Sequence, residues 1–298
     1  MPSLMAHIYN TVMRWMPPCE GDIEAQQRRN DRKPPKPPKD VSVTHMDLGG
    51  LAAERIEKPG NLKGWVLYVH GGGFTTGSAR ERRELCQYIA DKHGYNCISF
   101  NYRLAPENKW PAQLEDCETA WRSMLDMGFA PNNTVLMGES AGGTLVLSLA
   151  LLLKEKHLPQ PKAIAAFSPG TNNAEHYPSH TENAKTDYML RDQIAKGIGE
   201  PVFGKDAPQE LLRTPTISPI YGEYAGLPPI FLAVSDTEAL YDDSTMLYNK
   251  LRDSGHPVEL DVQHGVCHAY PMFPMIPEAR ATLKRMFSFV DKGQLSSY

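Results

Sequence analysis

Residues 133–143 read Asn133-Thr134-Val135-Leu136-Met137-Gly138-Glu139-Ser140-Ala141-Gly142-Gly143, an apolar run that passes through Gly138-x-Ser140-x-Gly142 into a helical pattern. A strand that turns at once into a helix strains the backbone of its turn residue, and small neighbours on both sides relieve the crowding. The side chain at the turn is pushed out at the top of the sheet, beside a helix N-terminus that favours developing negative charge. A serine in that place is a nucleophile that lacks only a base.

Outward from this elbow, apolar runs predict strands at 41–46, 51–56, 65–69, 95–100, 133–137, 162–167, 230–235 and 258–263. Helical periodicity predicts helices over 80–92, 112–127, 140–155, 242–254 and 277–291. The third of these carries Leu145, Leu147, Leu149, Leu151, Leu152 and Leu153 and is therefore buried on most sides. The first two strands read as an antiparallel pair, and the rest alternate with helices. The fold class is α/β: a mostly parallel eight-stranded sheet with right-handed connections and helices on both faces.

Residues 171–225 break the alternation with a segment rich in Pro, His, Asn and Tyr and one helical stretch near 192–199. A connection of that length is expected to be a functional lid or cap, packed with the N-terminal helix. The chain is thus expected to divide into N-terminal cap helices and linker (1–40), a catalytic core (41–170 and 226–298) and a cap insertion (171–225).

Composition narrows the function. With 31 basic against 35 acidic residues and no long run of one sign, a nucleic-acid partner is excluded. Residues 28–39 hold four prolines and read as an extended linker. Five cysteines (Cys19, Cys86, Cys97, Cys117, Cys267) without metal-ligand spacing point to reduced thiols in a cytoplasm. Leu4, Met5, Ile8, Tyr9, Val12, Met13 and Met16 recur at helical spacing, interrupted by His7, Asn10 and Arg14. That stripe predicts a helix packed on the protein, neither a signal segment nor a stable membrane anchor.

Strand 65–69 runs into His70-Gly71-Gly72-Gly73-Phe74 at the sheet edge where α/β proteins bind ligands. Glycines let backbone N–H groups point at an anion, as a tetrahedral oxyanion requires, and His70 reads as the residue that holds this loop. Together with Tyr102-Arg103-Leu104-Ala105-Pro106-Glu107 and Gly138–Gly143, this loop resembles the hormone-sensitive-lipase branch of α/β-hydrolase carboxylesterases, from about residue 40 to the C-terminus. The resemblance implies an α/β-hydrolase fold with a helical cap, and an oxyanion hole built from the Gly71–Gly73 loop, chiefly Gly72 and Gly73, with Ala141. Glu139 stands where that family carries Asp or Thr, a position that is not the nucleophile. Arg103 and Glu107 read as a buried polar clasp with Asp116.

The order after the nucleophile is acid, then histidine. Gln263-His264-Gly265-Val266-Cys267-His268-Ala269-Tyr270 offers two histidines. The family spacing of Gly, two residues, then His selects His268, and His264 reads as a polar loop residue. Cys267 has no elbow or helix N-terminus to activate it and reads as a packed thiol. For the acid, relatives carry Asp-Pro-Leu-x-Asp. Aligning Leu240 and Asp242 of Ser235-Asp236-Thr237-Glu238-Ala239-Leu240-Tyr241-Asp242-Asp243 with that pattern selects Glu238 rather than Asp236. Asp242 and Asp243 read as cap and first-turn charges of the next helix.

The expected function is a serine carboxylesterase acting on small, short-acyl esters through an acyl-enzyme on Ser140, with His268 as base and Glu238 as its partner. No metal or organic cofactor is needed. An amidase, a formamidase or a carbohydrate acetyl esterase could use the same triad, and relatives that lost the histidine are ligand receptors. Trp15, Tyr188, Phe203 and Tyr221 are candidates for an apolar acyl pocket or for cap core. The resemblance also implies a possible homodimer through the final strand and helix.

Overall fold

Strands buried on both faces are mostly apolar, and the five central strands here are buried along nearly their whole length. The computed structural model describes residues 2–15, 36–191, 193–194 and 199–292. The strands are β1 (Ser42–Asp47), β2 (Ala52–Glu57), β3 (Trp65–Val69), β4 (Asn96–Phe100), β5 (Thr134–Glu139), β6 (Ala163–Phe167), β7 (Ile230–Ser235) and β8 (Val258–Gln263). They form one 8-stranded sheet in the order β1-β2-β4-β3-β5-β6-β7-β8. β1 and β2 pair antiparallel with each other, as do β2 and β4, and the remaining pairs are parallel. The expected mostly parallel sheet is observed with its strands within a residue or so of their predicted positions.

The strand period of two sends alternate side chains to opposite helical layers. Leu67, Val69, Leu136, Ile164, Ala166 and Leu232 face α3 (Ala112–Asp126), α4 (Ala141–Glu155) and α8 (Tyr241–Asp253). Val66, Tyr68, Val135, Met137, Phe167 and Phe231 face α2 (Arg83–Lys92) and α9 (Pro277–Lys292). The predicted helix over 80–92 starts instead as a 3-10 turn, Ala79–Arg82, capped by the Ser78 hydroxyl on the Glu81 amide, and becomes α2 at Arg83.

Between β6 and β7 the described residues form short helices, α5 (Ser179–Glu182), α6 (Glu200–Phe203) and α7 (Gln209–Leu212). Most of the helical stretch expected near 192–199 lies outside the described residues, as do Met16, Cys19 and residues 28–35 of the expected linker.

α1 (Leu4–Trp15) corrects one expectation. Its small Ala6 is buried against Val266, Cys267, Tyr270, Ile276 and Ala279, while Leu4, Met5, Ile8, Val12 and Trp15 face solvent, Trp15 at 82% exposure. Polar contacts fix that rotation: Ser3 donates through its amide and hydroxyl to Glu278, and Asn10 Nδ2 donates to the Gly265 carbonyl. α1 therefore docks chiefly on the loop after β8 and the start of α9, and meets the 171–225 segment through Met189 and through Arg14 over the Tyr188 ring. The 102–107 clasp is also narrower than expected. Arg103 donates to Asp116 from its amide and side chain, but its side chain is half-exposed and Glu107 is exposed, outside the clasp.

The elbow depends on a close approach of α4 to the sheet. A Cβ on Gly142 would lie 2.1 Å from the Val69 carbonyl oxygen and 2.6 Å from that of His70. Both are strand-end backbone atoms that cannot swing away. Gly142→Ala is therefore expected to cost about 3 kcal/mol or more, as overpacking against rigid backbone does. Gly170→Ala, where a Cβ would meet only Thr144 Oγ1 at 3.6 Å, should stay within about 1 kcal/mol. Urea denaturation of the two variants beside wild type measures the difference.

Candidate active site

Ser140 sits between β5 and α4 at φ 54°, ψ −125°, a left-handed backbone with Gly138 and Gly142 on either side, and its amide donates a hydrogen bond to the Phe167 carbonyl at 2.8 Å. Its side chain faces a cavity of about 550 Å³ whose wall includes Gly73, Phe74, Ala141, Asn172, His180, Leu190, Phe203 and Leu240. Of the aromatic candidates for an acyl pocket, Phe203 lines this cavity. Trp15, Tyr188 and Tyr221 do not.

The glycine loop after β3 folds tightly. Gly72 has φ 118°, and a Cβ there would lie 2.3 Å from the Thr76 carbonyl oxygen. His70 hydrogen-bonds through Nδ1 to the Gly71 carbonyl at 2.8 Å, and its ring stacks on Tyr102, whose hydroxyl donates to the His70 carbonyl. Burial pushes His70 down to about 4, so it is a neutral structural clamp. The Gly72, Gly73 and Ala141 amides have no acceptor among the described residues. Gly71 is different: its amide donates to Glu139 Oε1 at 2.7 Å. That corrects the inclusion of Gly71 among the oxyanion donors, because a carboxylate already occupies its N–H.

Glu139 thus has a role that the elbow pattern does not reveal. Fully buried, it accepts from Gly71 N, from the Tyr68 hydroxyl and from Arg82 Nε. It ties the residue before Ser140 to the glycine loop and to the turn before α2. The longer side chain in place of the family's Asp or Thr spans all three partners.

Glu238 and His268 meet. His268 Nδ1 lies 3.2 Å from Glu238 Oε1, and both residues are buried. Glu238 Oε2 accepts the Ser168 hydroxyl at 2.9 Å and the Ser235 amide at 3.2 Å. Burial raises the Glu238 carboxyl above its ordinary value, with His268 pulling it back. His268 is raised as well: burial opposes the imidazolium, but the Glu238 charge and hydrogen bond outweigh it. The His268 Nε2 atom is buried and carries no hydrogen bond. Asp236, the other acid, pairs with His264 at 2.6 Å and accepts the Gly265 amide. The Cys267 thiol is pushed up by burial, which leaves it protonated and inert.

Ser168, absent from the candidates drawn from sequence, joins these segments. Its hydroxyl binds Glu238 and accepts the Ala269 amide, next to His268, at 3.1 Å, while its predecessor Phe167 binds the Ser140 amide. A serine just past the carboxyl end of a central strand was the available signal. Asp243 stands in the first turn of α8, as expected, but its carboxylate also reaches across to the 171–225 segment. It is fully buried, accepts the Thr171 and Asn172 amides, and contacts His180 Nε2 at 2.6 Å on the cavity wall. Its carboxylate faces the 171–225 segment because that segment brings donors no solvent-facing cap would meet.

Comparison with known proteins agrees with the fold. The sequence signature of the α/β-hydrolase fold family matches residues 66–272. The chain is similar to an acetyl-hydrolase of Streptomyces hygroscopicus, 30% identical over 256 residues that cover 85% of this chain and 83% of that protein. It is similar in structure to EstE5 soaked with p-nitrophenyl butyrate, with TM-score 0.88, 29% identity, and coverage of 99% and 100% of the two chains. An esterase of the bacterial hormone-sensitive lipase family superposes with TM-score 0.87 at 29% identity, covering 98% of this chain and 99% of the other.

Because Glu139 pairs with the largely buried Arg82 guanidinium, which otherwise has Glu81 at 3.5 Å, and accepts from two neutral donors, Glu139→Ala should destabilise the fold by about 3 kcal/mol, the low end for breaking a buried pair. Adding Arg82→Met to Glu139→Ala should recover part of that loss in denaturant titrations.

Proposed function

Since the chain belongs to the hormone-sensitive-lipase branch of the α/β-hydrolase fold family and is a carboxylic-ester hydrolase, we propose that it cleaves small, short-acyl esters through an acyl-enzyme on Ser140. The observation that carries this is the buried Glu238–His268 pair with Nε2 left unpartnered, joined through the 167–168 backbone to the elbow on which Ser140 faces the cavity.

In this mechanism His268 takes the Ser140 proton as the hydroxyl attacks the ester carbonyl, and Glu238 stabilises the imidazolium that forms. The Gly72, Gly73 and Ala141 amides hold the oxyanion, aided by the N-terminus of α4. The imidazolium then protonates the departing alcohol, and water repeats the sequence on the acyl group. Residues 171–225 act as the cap insertion over the 41–170 and 226–298 core, with the 1–40 segment as the rest of the cap; the insertion supplies Asn172, His180, Leu190 and Phe203 to the cavity wall.

A short acyl group fits the buried wall. The polar groups there are already engaged: Asn172 with Tyr177 and local amides, His180 with Asp243 and the Tyr177 amide, Thr144 with the Gly170 carbonyl. The apolar residues of the wall, Phe74, Leu190, Ile194, Phe203, Leu212 and Leu240, are then free to contact the acyl chain. The name of the Streptomyces relative and the butyrate ester soaked into EstE5 favour acetyl to butyryl groups.

Ser140→Ala should leave the circular dichroism spectrum unchanged and lower p-nitrophenyl butyrate turnover by about ten-thousand-fold or more. Retained turnover would overturn the assignment of the nucleophile. Glu238→Ala should lose about a thousandfold or more in kcat, and Asp236→Ala less than about tenfold; the reverse order would move the acid to Asp236.

The base must be neutral to act, and the folded protein holds the His268 imidazolium above its ordinary value of 6.5. Activity should therefore rise with pH through a midpoint above about 6.5, and kcat/KM profiles should place that limb there.

A further inference from the structure

One stretch of the 171–225 segment holds every residue of the turn that carries Glu238. Asn183 Nδ2 donates to the carbonyls of Asp236 at 3.2 Å and Glu238 at 2.9 Å. The Thr186 hydroxyl donates to the Thr237 carbonyl at 2.9 Å, and Asp187 Oδ2 accepts the Ala239 amide at 2.9 Å. The other Asp187 oxygen accepts the Met189 and Leu190 amides. His180, shortly before this stretch, and Leu190, just after it, line the cavity. One short piece of chain is therefore both cavity wall and brace for the acid.

Asp187 is more than a turn cap. It is 3% exposed, and among the described residues no Lys or Arg pairs with it. A neutral Asn or Ser would cap the 188–190 turn at a much smaller desolvation cost. Three amide donors make the buried carboxylate tolerable, and they hold it beside the turn that carries Glu238. The one group in this region that gains positive charge during the proposed reaction is His268.

We propose that Asp187 is a positioning residue for ester hydrolysis: its carboxylate fixes the turn that carries Glu238, and its charge helps stabilise the imidazolium that forms on His268. This rests on the assignment of Glu238 and His268 given above. The charged and titratable groups facing His268 are Glu238 from the turn after β7, Asp187 from the insertion and Glu139 from the end of β5. The Asp187 charge is felt at Glu238, His268 and the Cys267 thiol. After the larger effect of Glu238, the Asp187 charge also raises His268, as a nearby negative charge does.

The test uses the full-length protein and p-nitrophenyl acetate, with kcat and KM followed from pH 5 to 9 for four variants. Asp187→Asn should lower kcat about 10- to 100-fold, leave KM within about threefold, and move the acidic limb of kcat/KM to lower pH by about half a pH unit. Asp187→Ser, which keeps a cap acceptor but no charge, should do the same and serves if the Asn variant fails to fold. Asn183→Ala removes two hydrogen bonds without a charge, and should lower kcat with the limb unmoved. Wild-type kinetics in a folded Asp187→Asn or Asp187→Ser variant overturns the proposal. So does a loss of kcat with an unmoved limb, the signature of a purely structural role. Glu238→Gln is run beside them. If it collapses turnover while the Asp187 variants behave as wild type, only the Asp187 proposal falls; if it retains turnover, the assignment of the acid falls too.

Discussion

The contact between the first turn of α4 and the ends of β3 and β5 governs this molecule. Carbonyl oxygens of Val69 and His70 press against Gly142, and the Gly142 carbonyl presses against Gly138, at separations that exclude any Cβ. That approach forces the turn residue into a left-handed backbone, and Ser140 occupies it at φ 54°. The same approach brings the glycine loop after β3 next to the amide of Ala141. The backbone at Ser140 and the amides proposed to hold an oxyanion are therefore set by one packing constraint, and neither can shift without the other.

Around this rigid centre, buried carboxylates fasten the loops that leave the sheet edge. Glu139 holds the glycine loop and Arg82, Glu238 gathers Ser168, Ser235 and His268, and Asp243 ties the 171–172 backbone and His180 to α8. Each spends its lone pairs on several donors, which is what makes a buried charge tolerable. Loops fastened this way stay ordered in a place where backbone would otherwise be mobile, and a catalytic constellation requires that order.

The fold was legible because its signals are local. Whole-length apolar strands, the elbow spacing and the strand-helix alternation each depend on neighbouring residues alone. What stayed hidden depends on long reach. The stripe on α1 is periodic, but periodicity states only that a helix has two faces. Ser3 and Asn10, bonding to residues more than 250 positions away, decide which face turns inward. A run of glycines announces free amides, but the carboxylate that takes the Gly71 amide arrives from 68 residues away. The register of Leu240 and Asp242 separated two nearby acids because both sit on the same short turn, where Asp236 is drawn to His264 and Glu238 to His268.

The two acid–histidine pairs differ in a way that bears on chemistry. Asp236 and His264 meet near solvent, with the His264 side chain 69% exposed, so water screens their attraction. Glu238 and His268 meet where both side chains are almost completely buried. At that site burial disfavours charge on either group alone, and their directions reflect it: the carboxyl is raised by burial, and the imidazole is raised because its partner's charge outweighs burial. Donors from Ser168 and Ser235 occupy one carboxylate oxygen and leave the other for Nδ1. That arrangement leaves Nε2 as the imidazole nitrogen without a hydrogen bond. In the proposed mechanism such a pair gains most when the imidazole acquires a proton, a gain that belongs to the transition state rather than to the resting protein.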